Sequence, residues 1–137
     1  MKELNIWFIC IGEPLPQNNN FENLHRCGSL AYNFSKKGHN VKWITSNFNH
    51  FTKSSVDIDN NYKVSNKFEI ILLNTMPYKK NISLERFISH YFISKEFVKK
   101  IGNFKNIPDI IYVSFPTIEL SYRAVKFANK NNIPVIV

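Results

Sequence analysis

The chain has 137 residues, of which 44% are hydrophobic and 20% charged, a composition that suits one globular domain and excludes a disordered segment. The 18 Lys and Arg residues against 10 Asp and Glu give a formal net charge of +8, which favours an anionic partner. The two cysteines exclude a disulfide-stapled scaffold.

The first apolar run covers residues 6–11, after a single lysine at position 2. A signal peptide needs a longer apolar core and a small-residue cleavage site, and a membrane-spanning helix needs about 20 apolar residues. We therefore expect a cytoplasmic protein.

Short apolar runs alternate with longer amphipathic segments along the chain. The apolar runs predict five buried strands, at residues 4–11, 41–45, 67–74, 110–113 and 133–137. The amphipathic segments predict three helices, from about residue 23 to a stop at Gly38, from the N-cap Ser83 to about residue 102, and from residues 114–117 to about residue 131. This alternation predicts an α/β fold, a Rossmann-like three-layer sandwich with a mainly parallel sheet.

Residues 46–66 are polar and lack a clear helical pattern, so we expect this crossover to be irregular or to carry only a short helix. Asp57 and Asp59 within it form a D-x-D pattern, which in metal-dependent glycosyltransferases holds a divalent cation. The pattern lies in a loop and not at a strand end. We interpret the two carboxylates as solvated turn charges and predict no metal.

The loop after the first strand does not carry a nucleotide-binding motif. Gly12 is followed by Glu13 and by prolines at positions 14 and 16, so the G-x-G-x-x-G fingerprint is absent and two backbone donors are lost. No Walker A motif is present either. We expect no NAD or ATP cofactor, although the loop at residues 12–20 would lie above the sheet edge, where a ligand could contact it.

Three further segments offer side chains at the same edge of the sheet. His25 and Arg26 open the first helix, either aimed at an anionic ligand or as a surface pair, and their charge opposes the helix dipole. Asn47 and His50 belong to residues 45–51, where amides, hydroxyls and aromatics either recognise a sugar or form an ordinary turn. Ser114 follows the fourth strand in another crevice loop, in which it or Thr117 would cap the next helix.

The predicted helix at residues 83–102 is basic and amphipathic, with Arg86, Lys95, Lys99 and Lys100. Such a helix either lies on anionic lipid headgroups or packs on the core with a solvated basic face. The positive charge is spread along the chain without a recognised nucleic-acid motif, so we expect no nucleic-acid partner.

Together these residues resemble bacterial family 4 glycosyltransferases, and most closely the amino-sugar transferases of capsule and O-antigen gene clusters. The resemblance covers the whole chain in order. Its matching segments are residues 8–16, 24–26, 45–51, 77–81, 108–111, 114–119 and 133–137, of which 45–51 is the most specific. The resemblance implies the N-terminal half of a GT-B fold, in which the N-terminal domain mainly holds the acceptor and the C-terminal domain holds the nucleotide-sugar donor.

The resemblance also implies a retaining transfer of a sugar to a saccharide acceptor, often on a polyprenyl-diphosphate carrier, without a catalytic metal. It implies peripheral association with the inner face of the cytoplasmic membrane. By position on the fold, Gly12 and Glu13 would lie at the domain cleft and Ser114 in a crevice loop. His25 and Arg26 would face phosphate or acceptor, and Asn47 and His50 would contact sugar.

The chain stops at Val137 inside an apolar run. Relatives continue there into an acidic Asp-Ile-Arg-Asp segment and then a donor domain with two glutamates. We therefore expect residues 1–137 to be an incomplete acceptor-side domain that cannot transfer sugar alone. The alternative is a free-standing α/β binding or interaction module without catalysis.

Overall fold

A computed structural model describes residues 2–16, 24–56, 61–115 and 117–137. Its main sheet has six strands in the order β5-β6-β2-β1-β7-β8, in which every neighbouring pair is parallel except the antiparallel β5–β6 pair. The strands and helices follow one another as β1 (Asn5–Ile9), α1 (Arg26–Lys36), β2 (Asn40–Ser46), β3 (Phe48–Asn49), β4 (Ser54–Ser55), β5 (Asn61–Ser65), β6 (Phe68–Leu73), α2 (Leu84–Ile101), β7 (Ile110–Val113), α3 (Ile118–Lys130) and β8 (Val135–Ile136).

The two faces of the sheet are covered by different helices. Alternate residues of β1 point to opposite faces, so Phe8 packs in a cluster with Cys27 and Ala31 of α1, while Trp7 packs in a cluster with residues of α2 and α3 such as Phe97. Helices on both faces of a mainly parallel sheet make three layers. The predicted α/β, Rossmann-like three-layer sandwich is confirmed.

The end of α1 matches the predicted stop signal. Gly38 has φ +92°, which is the left-handed region that glycine adopts without steric cost. The Gly38 N–H donates to the carbonyl of Ser35 at 3.0 Å, and the His39 N–H donates to that of Phe34 at 3.2 Å. These two bonds form a Schellman motif and direct the chain into β2.

The segment between the second and third predicted strands differs from expectation. It contains the β3–β4 hairpin and the edge strand β5, and no helix lies within its described residues, which leave out positions 57–60. In β5 the half-buried Tyr62 and Val64 alternate with the exposed Lys63 and Ser65. This period of two is typical of an antiparallel strand with one solvent-exposed face. The polar residues on that face explain why composition alone suggested a loop. The Asp57–Asp59 pattern falls outside the described residues.

The two later helices begin at the predicted residues, with one difference in capping. Ser83 is the N-cap of α2, and its Oγ accepts a hydrogen bond from the Arg86 N–H at 3.3 Å. Thr117 occupies the N-cap position of α3 but makes no side-chain cap hydrogen bond, and Ser114 Oγ lies 3.1 Å from the Phe115 carbonyl instead. The prediction of a hydroxyl cap on α3 is therefore wrong. Within the described ranges no helix is long and apolar enough to cross a bilayer.

Candidate functional site

The carboxyl ends of β1, β2, β6 and β7 lie level with one another. Ile9 is paired with Ile44 of β2 and with Val113 of β7, and the Ser114 N–H donates to the Ile9 carbonyl at 3.0 Å. The loops that leave these strands therefore meet above one edge of the sheet. In open α/β sheets this edge is where ligands bind.

A small cavity, here called the polar cavity, lies at this edge between the strand ends and the first half of α2. Its volume is about 160 Å³. Its lining comprises Ile11, Gly12, Ser46, Phe48, His50, Thr75, Tyr78, Arg86, Ser89, His90, Ile93 and Thr117. Hydroxyl, imidazole and guanidinium groups thus line one cavity, and Ile11, Phe48 and Ile93 supply its apolar wall.

The β3–β4 hairpin carries His50 into this cavity. The Asn49 side chain accepts hydrogen bonds from the backbone N–H groups of Phe51 at 2.8 Å and Thr52 at 3.1 Å, which is an Asx turn. His50 Nδ1 then lies 2.8 Å from the Tyr78 hydroxyl, and the two groups share a hydrogen bond. The hairpin and the loop before α2 are in this way joined directly over the sheet edge.

Tyr78 is itself held in place by burial and by packing against its neighbours. Only 7% of it is exposed, its ring packs against Phe48 at 4.8 Å between centroids, and Lys53 Nζ lies 4.7 Å above the ring. Burial raises the pKa of the Tyr78 phenol, which therefore stays protonated at neutral pH. A hydroxyl held on a fixed ring suits recognition of a polar ligand.

Arg86 enters the cavity from the first turn of α2. Its Nη1 donates to the carbonyl of Asn81 at 2.7 Å, while its Nε is buried and has no hydrogen-bond partner. His90 follows one turn later and is half-buried, so the two side chains lie on the same side of the helix. Burial and the charge of Arg86 lower the pKa of His90, and burial, Lys53 and Arg86 lower that of His50.

The residues predicted from the sequence fall into two groups. Gly12 and His50 both line the polar cavity. Glu13 lies beside it in a second cavity of about 380 Å³, which shares Ser46 and Phe48 with the first. His25 is exposed just before α1, and its ring meets that of Phe51 edge-on at 6.3 Å.

The remaining predicted residues are not brought into the polar cavity. Arg26 is exposed at the first position of α1. Asn47 joins two strand ends, because its Oδ1 accepts from the Thr75 N–H at 3.2 Å and its Nδ2 donates to Asn74 Oδ1 at 3.3 Å. Ser114 bonds within its own loop.

Sequence reasoning did not single out Thr75, Tyr78, Arg86, His90 and Thr117 as site residues. A signal was present for two of them, because Arg86 and His90 are four residues apart at the start of a predicted helix. A cation in a first helical turn opposes the dipole, the same argument that drew attention to Arg26. No pattern marks Thr75, and the sequence marks Thr117 only as a candidate helix cap.

One group of possible metal ligands lies near the start of α1. Among the described residues, Cys10, Glu13 and Cys27 place a ligand atom each within 4.8 Å of one another. The Glu13 carboxylate already accepts two backbone hydrogen bonds there, from Cys27 and Gly28 at 3.0 Å each. A hydrogen bond to Cys10 and burial raise the pKa of the Cys27 thiol. In this structure the two buried thiols pack in the core, and the carboxylate caps the start of α1.

Comparison with known proteins relates this chain to others by its fold. No protein-family model and no curated protein sequence matches it. Among solved structures it is similar to sucrose-phosphate synthase from Thermosynechococcus elongatus, a GT-B glycosyltransferase, with a TM-score of 0.62 and 12% sequence identity. The match covers 98% of this chain and 32% of the synthase, so the chain spans about a third of that protein's length. The chain thus shares a Rossmann-like α/β fold with about a third of that synthase.

Proposed function

We propose that this chain supplies the acceptor-binding side of a glycosyltransferase that moves a sugar from a nucleotide-sugar donor to a saccharide acceptor. The observation that carries the proposal is the polar cavity at the carboxyl ends of β1, β2, β6 and β7, in a chain whose fold is similar to part of a GT-B glycosyltransferase. The resemblance of the sequence to amino-sugar transferases favours an acceptor on a polyprenyl-diphosphate carrier, in O-antigen or capsule synthesis.

The groups in the cavity suit a saccharide. Sugar hydroxyls both donate and accept hydrogen bonds, and the Tyr78 phenol and the His50 imidazole can do the same. The Thr75 hydroxyl, which is hydrogen-bonded to Ser89, offers an accepting oxygen. The Tyr78 and His50 positions are fixed by their mutual hydrogen bond and by the packing of Tyr78 on Phe48. Preorganised polar groups on an apolar wall are the usual composition of a small-ligand site.

Gly12 and His50 are the sequence-predicted residues that we assign to acceptor contact, because both line the cavity. We assign Glu13 and Asn47 to positioning of the loops around the cavity. The hydrogen bonds of both side chains go to backbone N–H groups or to a neighbouring side-chain amide. His25, Arg26 and Ser114 would contact the acceptor only beyond the cavity.

The nucleotide-sugar would be held by a separate donor domain, and the transfer would need no metal. On this proposal the 137 residues bind the acceptor but do not turn over. A transfer assay with radiolabelled nucleotide-sugars checks this, and turnover above background by these residues alone would contradict it.

An anionic membrane surface is the second partner that we propose, on the exposed side of α2. Leu84, Phe87 and Tyr91 are 80%, 65% and 45% exposed and recur at helical spacing, and Lys95 and Lys99 follow on the same helix. Apolar side chains flanked by lysines are the pattern of a helix that lies in the headgroup region. A lipid-linked acceptor would be presented at such a surface.

The test of the saccharide site is a titration of the chain with neutral mono- and disaccharides, followed by amide chemical shifts in NMR spectra. We expect shifts centred on Tyr78, His50 and Thr75, and at least tenfold weaker binding in Tyr78→Phe, which keeps the ring and removes the hydroxyl. Tyr112→Phe is the matched control, because that residue packs on Phe8 away from the cavity. A non-catalytic interaction module would show no saccharide-dependent shift, and that outcome would overturn the proposal.

A further inference from the structure

The polar cavity contains three basic side chains and no carboxylate among its lining residues. They are His50 from the hairpin and Arg86 and His90 from α2. They repel one another, since Arg86 lowers the pKa of both histidines. The charged groups nearby are Lys53, which adds to the repulsion at His50, and Glu119 of α3, which partly offsets it at His90.

Two hydrogen-bond donors in the same cavity are buried without a partner. One is Nε of Arg86, and the other is the hydroxyl of Thr117, a residue that is only 1% exposed. Buried polar groups are nearly always hydrogen-bonded, because an unpaired one loses its water without compensation. Two such donors beside uncompensated positive charge mark a place where acceptor atoms and negative charge are missing.

We infer that the polar cavity binds an oxyanion carried by the acceptor, either a phosphoryl group or a carboxylate. This inference rests on the proposed function and names the chemical class that its site selects. The volume of about 160 Å³ is below the ~300 Å³ at which sites for whole small molecules begin, so the cavity takes only part of the acceptor, one anionic group with the sugar atoms next to it.

The geometry gives each residue a role in this binding. Arg86 is fixed by its Nη1 bond to the Asn81 carbonyl, which leaves Nε to donate to the anion in a set direction. The Thr117 hydroxyl donates from the N-terminus of α3. His50 and His90 gain protons when the anion binds, because its charge cancels the repulsion from Arg86.

Binding should therefore strengthen as the pH falls toward 6, where the bound state takes up protons on the two histidines. The trend applies to an anion whose own charge is constant over this range. Lys53 beside His50 and Glu119 beside His90 are the other charged groups that bear on these two protonations.

The experiment is a titration of the 137-residue chain with inorganic phosphate and with pyrophosphate, with glucuronate as the carboxylate and glucose as the neutral probe. NMR shifts of His50 and His90 report binding. We expect phosphate or glucuronate to shift both rings and to raise both histidine pKa values. Glucuronate keeps its single charge between pH 6 and pH 8 and should bind more tightly at pH 6, whereas phosphate loses negative charge of its own as the pH falls. A preference for phosphate and pyrophosphate assigns a phosphoryl group, and a preference for glucuronate assigns a carboxylate.

The variants separate this site from general attraction to a basic protein. Arg86→Gln should weaken the preferred anion at least tenfold, and so should the isosteric Thr117→Val, which removes the hydroxyl without a change of charge. Arg123→Gln is the control for net charge, since Arg123 donates to Ser94 on the far part of α2. Thr117→Ser restores the donor and should restore binding.

The inference fails if neither anion shifts the histidines, or if Arg123→Gln weakens binding as much as Arg86→Gln does. If glucose and disaccharides still bind in that case, the proposed saccharide site stands and only the anion is wrong. If the anions bind in the predicted way and neutral saccharides do not, the anion site stands without the acceptor role. The two proposals can thus fail separately.

Discussion

The carboxylate of Glu13 lies across the start of α1, where its Oε2 accepts a hydrogen bond from the Gly28 N–H at 3.0 Å. Its other oxygen accepts from the Cys27 N–H at the same distance. Neither a capping side chain at His25 nor an acidic residue in the first turn is present in α1 itself. Gly12 turns the chain at φ +85°, and the next residue then supplies the missing acceptor and negative charge.

Replacement of Glu13 by Ala should lower the free energy of unfolding by about 1–2 kcal/mol, the usual cost of a lost N-cap with some loss of dipole compensation. Glu13→Gln keeps one acceptor oxygen and should lose less. Urea denaturation measures both. Glu3→Ala is the matched control, because its ion pair with Lys67 is solvent-exposed and contributes little. An unchanged stability in Glu13→Ala would contradict the capping role.

Gly28 is required because there is too little space beside it for a side chain. A Cβ there would lie 3.1 Å from Leu24 Cδ2 and 3.2 Å from two atoms of the Trp43 ring. The indole of Trp43 is fully buried and held by a 3.1 Å bond from Nε1 to the Cys10 carbonyl, so it cannot move aside. Overpacking costs about 1–3 kcal/mol, against a helix-propensity gain of about 1 kcal/mol at most. Gly28→Ala should therefore be destabilising by about 1 kcal/mol.

Gly102 offers the opposite case for comparison. It caps α2 with φ −61°, and a Cβ there would meet its nearest neighbour, the Lys99 carbonyl oxygen, at an ordinary 3.5 Å. Gly102→Ala should stabilise the chain by about 0.4–1 kcal/mol through the unfolded state. Thermal and urea unfolding of the two variants measure the contrast. If both changes had the same sign, the packing argument at Gly28 would be wrong.

Much of the fold could be predicted from the sequence because the buried strands are continuous apolar runs. Both ends of strand β7, at residues 110 and 113, were predicted correctly. Ser83 and Gly38 marked the ends of helices by local chemistry. Strand β5 could not be predicted in the same way. Its stability comes from pairing with β6, which is a long-range contact that its own polar composition does not reveal.

The sequence predicted where the candidate site lies better than it predicted which residues form the site. The ends of parallel strands had to meet at one edge, so His50 and Gly12 were found. Asn47 shows the limit of such reasoning, since an amide after a strand looks the same in sequence whether it binds a ligand or joins two strand ends. Only the position of Thr75, two residues after the end of the neighbouring strand β6, decides between them.

We expect the side chain of Asn47 to stabilise the fold. In Asn47→Ala the Thr75 N–H loses its acceptor, and the expected cost is about 1 kcal/mol. Asn47→Asp keeps the oxygen that accepts from Thr75 and should recover part of the loss. Urea denaturation measures stability, and saccharide titration of the same variants measures binding. A variant with full stability and abolished saccharide binding would instead make Asn47 a contact residue.

Stability should depend on pH through the two histidines of the polar cavity. Their pKa values are lowered in the folded chain from the usual 6.5, so between the lowered values and about 6.5 the unfolded chain binds more protons. The free energy of unfolding should therefore rise with pH across this window. Urea midpoints at pH 5.5 and 7.5 test the sign, and His50→Gln combined with His90→Gln should reduce the difference. A midpoint that is higher at pH 5.5 would contradict the prediction.

The exposed side of α2 predicts that the chain binds anionic membranes. Flotation with vesicles should recover the chain with phosphatidylglycerol-containing vesicles but not with pure phosphatidylcholine, because the basic face contributes attraction that neutral lipid lacks. Added salt should weaken the binding by screening. Phe87→Ser should reduce recovery, since an apolar ring leaves the headgroup region. Phe51→Ser is the matched control, as both rings are 65% exposed but Phe51 lies on the hairpin. Equal losses in the two variants would assign the binding to general hydrophobicity and remove α2 as the membrane face.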